Sequence, residues 1–171
     1  GEKAFAQFRI RTRGAGGHGS VPRKEHSAVL DLARAVVALG LHDPPAMVSP
    51  MTARFIDTLV ADGLRERLKD PATAREAARE LRAADPEVAG LVEPLLGATF
   101  TPTMLKAGKV VNVIPTHAEA NVDCRILPEM TPAETRALVA EVLDPLGIEW
   151  DFEWIDVTEP NASPVPTPLS E

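Results

Sequence analysis

The sequence predicts an α+β fold: a four-stranded antiparallel sheet with two helices on one face, ordered strand, helix, strand, strand, helix, strand (βαββαβ, ferredoxin-like), plus a helical insertion. Three observations carry this. Apolar and polar residues alternate along segments 4–13, 117–127 and 148–157, the period of a half-buried strand. Apolar residues recur at helical spacing over 26–41 and 131–146. Between them, 42–99 is set apart by composition and by its prolines.

Each element has its own signals. In 4–13, Ala6, Phe8 and Ile10 point inward while Gln7, Arg9 and Arg11 point out. The glycine-rich loop Gly14–Pro22 ends that strand. The first helix spans about His26 to Leu41, with Val29, Leu32, Ala33, Val36 and Leu39 on its apolar face, Asp31 and Arg34 outside, and Gly40 at its end. Residues 42–50 read as a loop. Residues 51–97, rich in Ala, Arg, Leu and Glu, are divided by Pro71, Pro86 and Pro94 into about three short helices. A strand is expected near 100–107. The clearest strand follows at 117–127, with Ala118, Ala120, Val122, Cys124 and Ile126 inward. Thr131-Pro132-Ala133-Glu134 starts a helix: a threonine N-cap, proline at the first position and a glutamate completing a capping box. That helix ends at Gly147, and Ile148, Trp150, Phe152 and Trp154 share one face of the last strand.

Composition narrows the function. The chain has 171 residues, one domain's worth, and a formal net charge of -7, which disfavours nucleic acid and acidic membrane surfaces as partners. No apolar run approaches the ~20 residues that cross a bilayer. The single cysteine, Cys124, rules out an internal disulfide and a cysteine-based zinc site, and fits a reducing cytoplasm. Four histidines at unrelated spacings predict no metal site within the chain. The chain opens at Gly1 and closes with SPVPTPLSE, so the expectation is a piece of a longer protein: a domain over 1–162 and a linker over 163–171.

Gly14-Ala15-Gly16-Gly17-His18-Gly19 spells G-x-G-x-x-G between a strand and a helix, a nucleotide-binding pattern. The context argues against it. The strand carries Arg9, Arg11 and Arg13, Pro22 and Arg23-Lys24-Glu25 separate the glycines from the helix, and no acidic strand end follows at the required distance. His18 itself, flanked by glycines, stands where an imidazole reaches another surface; the plain alternative is a solvent-exposed loop histidine.

Three segments occur together in order: GGHGSVP at 16–22, KAGKVVNVIP at 106–115 and AEANVDCRILP at 118–128. The ordered trio resembles the lid, or dimerisation, domain of the di-zinc metallopeptidases, the family of aminoacylase, glutamate carboxypeptidase, carnosinase, carboxypeptidase S and succinyl-diaminopimelate desuccinylase. The resemblance spans nearly the whole chain, with 42–99 least constrained. It implies a four-stranded lid inserted in a catalytic domain that holds two zinc ions. His-x-Asp and Glu-Glu pairs are absent here, so this stretch is expected to be inactive alone, with no metal or cofactor of its own. The tail is expected to lead back into that catalytic domain.

Residue by residue, the resemblance implies that His18 reaches the partner subunit's active site and donates a hydrogen bond to the developing oxyanion. Asn112 matches a residue that hydrogen-bonds substrate from the lid; read alone, it is a turn asparagine before Pro115. Arg125 matches an arginine that grips the substrate's free carboxylate; read alone, it is an outward charge on a wet strand. Gly17 and Gly19 serve as hinge and clearance. The implied partners are the protein's own catalytic domain, a second copy joined through a sheet edge beside the first helix, and a small peptide or N-acyl amino acid. The rival expectation is a free-standing ferredoxin-like regulatory or assembly module that binds a small ligand.

Overall fold

The computed structural model describes residues 3–158. Four strands form one sheet: β1 (Ala4–Arg13), β3 (Thr99–Ala107), β5 (His117–Ile126) and β6 (Trp150–Val157), in the spatial order β3-β5-β1-β6. Every neighbouring pair is antiparallel. Two helices, α1 (Ala28–Gly40) and α6 (Pro132–Leu143), pack against each other on the buried face. This is the predicted α+β sheet, and its strand order is compatible with a ferredoxin-like arrangement. The expected linker at 163–171 lies outside the described residues.

The alternation in the sequence becomes two faces. Ala6, Phe8 and Ile10 of β1, with Ala118, Ala120, Val122, Cys124 and Ile126 of β5, are buried. Phe8 is the hub: its ring stacks on Phe152 at 4.9 Å and meets Trp154 and Phe100 edge to face, each at 6.1 Å. The opposite face is a lattice of polar side chains. Gln7 donates to Asp123 (2.8 Å), Arg9 to Asn121 (2.9 Å) and Arg13 to Asp151 (2.9 Å). Arg11 pairs with both Glu119 (3.4 Å) and Glu153 (2.5 Å). Partial burial alone would raise the Glu119 carboxyl, but the Arg11 hydrogen bond and the charges of Arg9 and Lys106 outweigh it and hold it below the usual range.

Helix α6 begins as expected. The Thr131 hydroxyl accepts from the Glu134 amide (3.2 Å), and the Glu134 carboxylate accepts from the Thr131 amide (2.8 Å), closing the capping box. A short 3₁₀ turn, Asp144–Leu146, carries the chain to Gly147, whose φ of 64° suits glycine. Helix α1 differs in its buried stripe. Ala28, Leu32, Ala35 and Leu39 face the sheet, whereas Val29 and Ala33 are exposed and Asp31 is mostly covered. Two small alanines let the helix approach the sheet closely, so the more apolar Val29 does not set the inward face.

The insertion holds four α-helices: α2 (Pro50–Leu59), α3 (Asp62–Lys69), α4 (Ala74–Ala84) and α5 (Pro86–Val92), then a 3₁₀ turn at Glu93–Leu96. Three were expected from the prolines. The extra break, at Val60-Ala61, has no proline or glycine. There the chain turns extended at Val60, and Arg65 satisfies the freed Val60 carbonyl twice, at 2.8 and 3.1 Å. These helices enclose a second apolar cluster around Ile56, Leu68, Leu81 and Leu96, separate from the sheet core. Lys3 ties the sheet body to the insertion by donating to the Gly97 carbonyl (2.8 Å), and the Met47 side chain packs against the sheet core while its amide donates to the Leu96 carbonyl (2.9 Å).

Candidate functional site

The glycine loop is not a featureless connection. Residues Gly17–His18 form a short strand, β2, that pairs with β4 (Val113–Ile114), Gly17 opposite Ile114 and His18 opposite Val113. The Gly19 amide extends the pairing by donating to the Asn112 carbonyl (2.8 Å). At the base, Gly14 donates to the Thr116 carbonyl (2.9 Å) and Ala15 to the His26 carbonyl (2.8 Å). The clip thereby holds the His18 and Asn112 backbones side by side at one end of the sheet.

Glycine is required most strictly at the base of this clip. A Cβ on Gly14 would stand 2.3 Å from the Ala28 nitrogen and 2.4 Å from the His26 oxygen, both immovable backbone atoms. Gly19 lies against the Asn112 backbone, where a Cβ would come to 3.4–3.5 Å, and Gly17 lies beside the Arg23 side chain at 3.3 Å. Neither Gly17 nor Gly19 has a positive φ. At both positions a Cβ would make ordinary contacts or meet only the flexible Arg23 side chain.

The His18 side chain is exposed, and so is Asn112. The Ser20 amide donates to His18 Nδ1 (3.2 Å), and the Ser20 hydroxyl lies 2.7 Å from the same nitrogen. Ser20 was not among the residues expected from sequence. Its signal there was only its place two residues beyond His18.

Arg125 lies elsewhere. It sits near the far end of β5, opposite Phe5 on one side and Thr99 on the other, while the clip adjoins the His117 end. Eight strand steps separate His117 from Arg125, roughly 26 Å at about 3.3 Å each. Its Nε donates to Asp123 (3.1 Å), and its guanidinium covers the Phe5 ring at 3.8 Å. The structure brings His18 and Asn112 together and keeps Arg125 apart from both.

Near the clip, an open cavity of about 670 Å³ has Arg11, Lys106, Lys109, His117, Glu119 and Asp151 in its lining. Arg11 and Lys106 engage Glu119. Cys124 is buried, and burial pushes its thiol up to about 12, the behaviour of a small core residue and not of a nucleophile. Among the described residues no group of three or more His, Cys, Asp or Glu side chains comes together to hold a metal ion. Among the same residues no helix is long and apolar enough to cross a membrane.

Comparison with known proteins bears on the fold and the family. The succinyl-diaminopimelate desuccinylase of Bordetella avium (strain 197N) is 30% identical over 103 residues, covering 57% of this chain and 27% of that protein. Among solved structures, the M20 family metallo-carboxypeptidase Sso-CP2 of Sulfolobus solfataricus aligns over 99% of this chain and 47% of its own, at 17% identity and a TM-score of 0.63. Human carnosine dipeptidase 1 aligns over 98% of this chain and 39% of its own, at 12% identity and a TM-score of 0.61. The chain thus spans about a quarter of the curated relative and less than half of these two structures. The family model described as "Peptidase dimerisation domain" matches residues 1–151. That match, over most of its length, shows that the chain belongs to the dimerisation-domain family of the M20 peptidases.

Proposed function

We propose that this chain is the dimerisation and lid domain of a metal-dependent hydrolase that cleaves amide bonds in peptides or N-acyl amino acids, and that it supplies His18 in trans to the active site. The observation that carries the reading is the exposed His18 ring on a clip that also presents Asn112. Preorganised on a backbone ladder, an imidazole N–H loses little freedom when it donates to a carbonyl oxygen that is gaining negative charge. Asn112 would hold the same substrate beside it. Arg125, some 26 Å along the strand, would serve the other active site of a dimer, gripping a free carboxylate with its guanidinium fork. The two zinc ions belong, in this proposal, to a catalytic domain beyond these residues, and the domain alone is inactive.

The dimer contact we assign is the β3 edge with the adjoining side of α1. Met104 and Leu105 on β3 are about two-thirds exposed, and α1, which packs beside β3, exposes Leu30 and Val37, with Leu41 exposed just past its end. The opposite edge strand, β6, has Asp151 and Glu153 already engaged by Arg13 and Arg11 of β1. The lone buried cysteine supports the cytoplasm as the compartment.

The test uses the full-length enzyme. His18→Ala is expected to lower kcat by about 10²–10³, the usual effect of removing one oxyanion donor, with metal content unchanged. Wild-type turnover in that variant would overturn the assignment.

A further inference from the structure

His18 opens a tight turn, closed by the Val21 amide on the His18 carbonyl at 3.0 Å. Within it Ser20 faces the ring with two groups. A backbone N–H has only a hydrogen to offer, so the nitrogen that accepts it must carry its lone pair. The Ser20 amide thereby identifies Nδ1 as the unprotonated nitrogen, and the Ser20 hydroxyl, 2.7 Å away, donates to it as well. The proton of the neutral ring then resides on Nε2, which has no hydrogen-bond partner among the described residues. An exposed ring that spends its acceptor inside its own turn presents only a donor to whatever it meets.

The geometry points to Ser20 as the positioning residue of His18: its amide and hydroxyl both engage Nδ1, which fixes the Nε2–H tautomer and restrains the ring at that nitrogen. The inference rests on the proposed function, since it supplies the polarity that an oxyanion donor needs. It also explains the order of residues in the turn. The serine two residues past the ring brings its amide to Nδ1, and the Gly19 amide between them donates to the Asn112 carbonyl.

In the full-length enzyme, Ser20→Ala is expected to lower kcat about tenfold while KM stays within about twofold, the effect of one hydrogen bond of about 1.4 kcal/mol. Ser20→Thr, which keeps the hydroxyl, is expected to recover most of that loss. Added to His18→Ala, the serine change should lower turnover no further, because it acts through the ring. In ¹⁵N spectra of histidine-labelled full-length protein, at a pH where the ring is neutral, the His18 proton is expected on Nε2. A proton on Nδ1, or an equal further loss from Ser20→Ala in the His18→Ala background, would overturn the inference. Unchanged kcat in Ser20→Ala beside a crippled His18→Ala enzyme would remove the positioning role and leave the proposed function standing. Wild-type turnover in His18→Ala would remove both.

Discussion

The Gly19 amide donates to the Asn112 carbonyl at 2.8 Å, joining two segments that lie far apart in the chain. Through that bond and the two-residue ladder beside it, the loop carrying His18 gains a fixed position relative to the loop carrying Asn112.

The base of the clip is intolerant of side chains. Gly14→Ala would force a methyl group against the Ala28 and His26 backbone atoms, displacing the start of α1. The expected cost is about 1–3 kcal/mol, as for other overpacked sites, read as a lowered urea midpoint. Gly63→Ala, where a Cβ meets nothing within 4 Å, is the control and should not destabilise.

The aromatic hub carries much of the sheet core. Phe8→Ala removes a fully buried ring from contact with Phe100, Phe152 and Trp154, and is expected to cost about 3–5 kcal/mol. A loss below about 1 kcal/mol in denaturant unfolding would show that the core closes around the gap.

The capping box at α6 should be separable from packing. Thr131→Ala removes the acceptor for the Glu134 amide and is expected to cost about 1 kcal/mol, with Thr131→Ser near wild type.

Alkaline stability should show two opposed windows. Burial lowers Lys3 from 10.5 to about 8, while burial raises Cys124 from 9.0 to about 12. Between about 8 and 10.5 the unfolded chain binds the Lys3 proton and the folded chain does not, so stability rises with pH. From 9.0 to about 12 the unfolded thiol ionises and the folded one stays protonated, so stability falls. The wild type should therefore gain stability from about pH 8 to 9 and then level off. In Cys124→Ala the gain should continue to about 10.5, and Lys3→Met should abolish it. Urea titrations across this range check the sign, and a falling curve in Cys124→Ala would contradict it.

The proposed dimer contact has a direct assay. Leu30→Glu combined with Leu105→Glu alters only exposed positions, so folding should persist while light scattering of the full-length protein shows the mass halved. Turnover should fall with it, since His18 would no longer reach a partner's site. A retained dimer would move the contact elsewhere.

Much of the fold was legible because burial on one face writes a period of two into a strand. Residues 4–13 and 117–126 show this without exception among their core positions. The capping box was equally plain, being a local arrangement of four residues. The β2–β4 clip was not, because two-residue strands have no period to read and their pairing spans most of the chain. The break at Val60-Ala61 left no proline or glycine, and its stabilising partner is the side chain of Arg65. Of the three residues singled out by resemblance, that His18 and Asn112 come together and Arg125 stands apart was not legible. That grouping depends on which end of β5 each one adjoins, a matter of register that no single segment encodes.

The inserted helices surround Ile56, Leu68 and Leu96 with an interior of their own and meet the sheet body at the Lys3–Gly97 hydrogen bond and the Met47 side chain. Such a segment behaves as a tenant of the scaffold and not as one of its walls. Hollowing it out would loosen its own helices first, while the aromatic hub and the histidine clip keep the contacts that hold them.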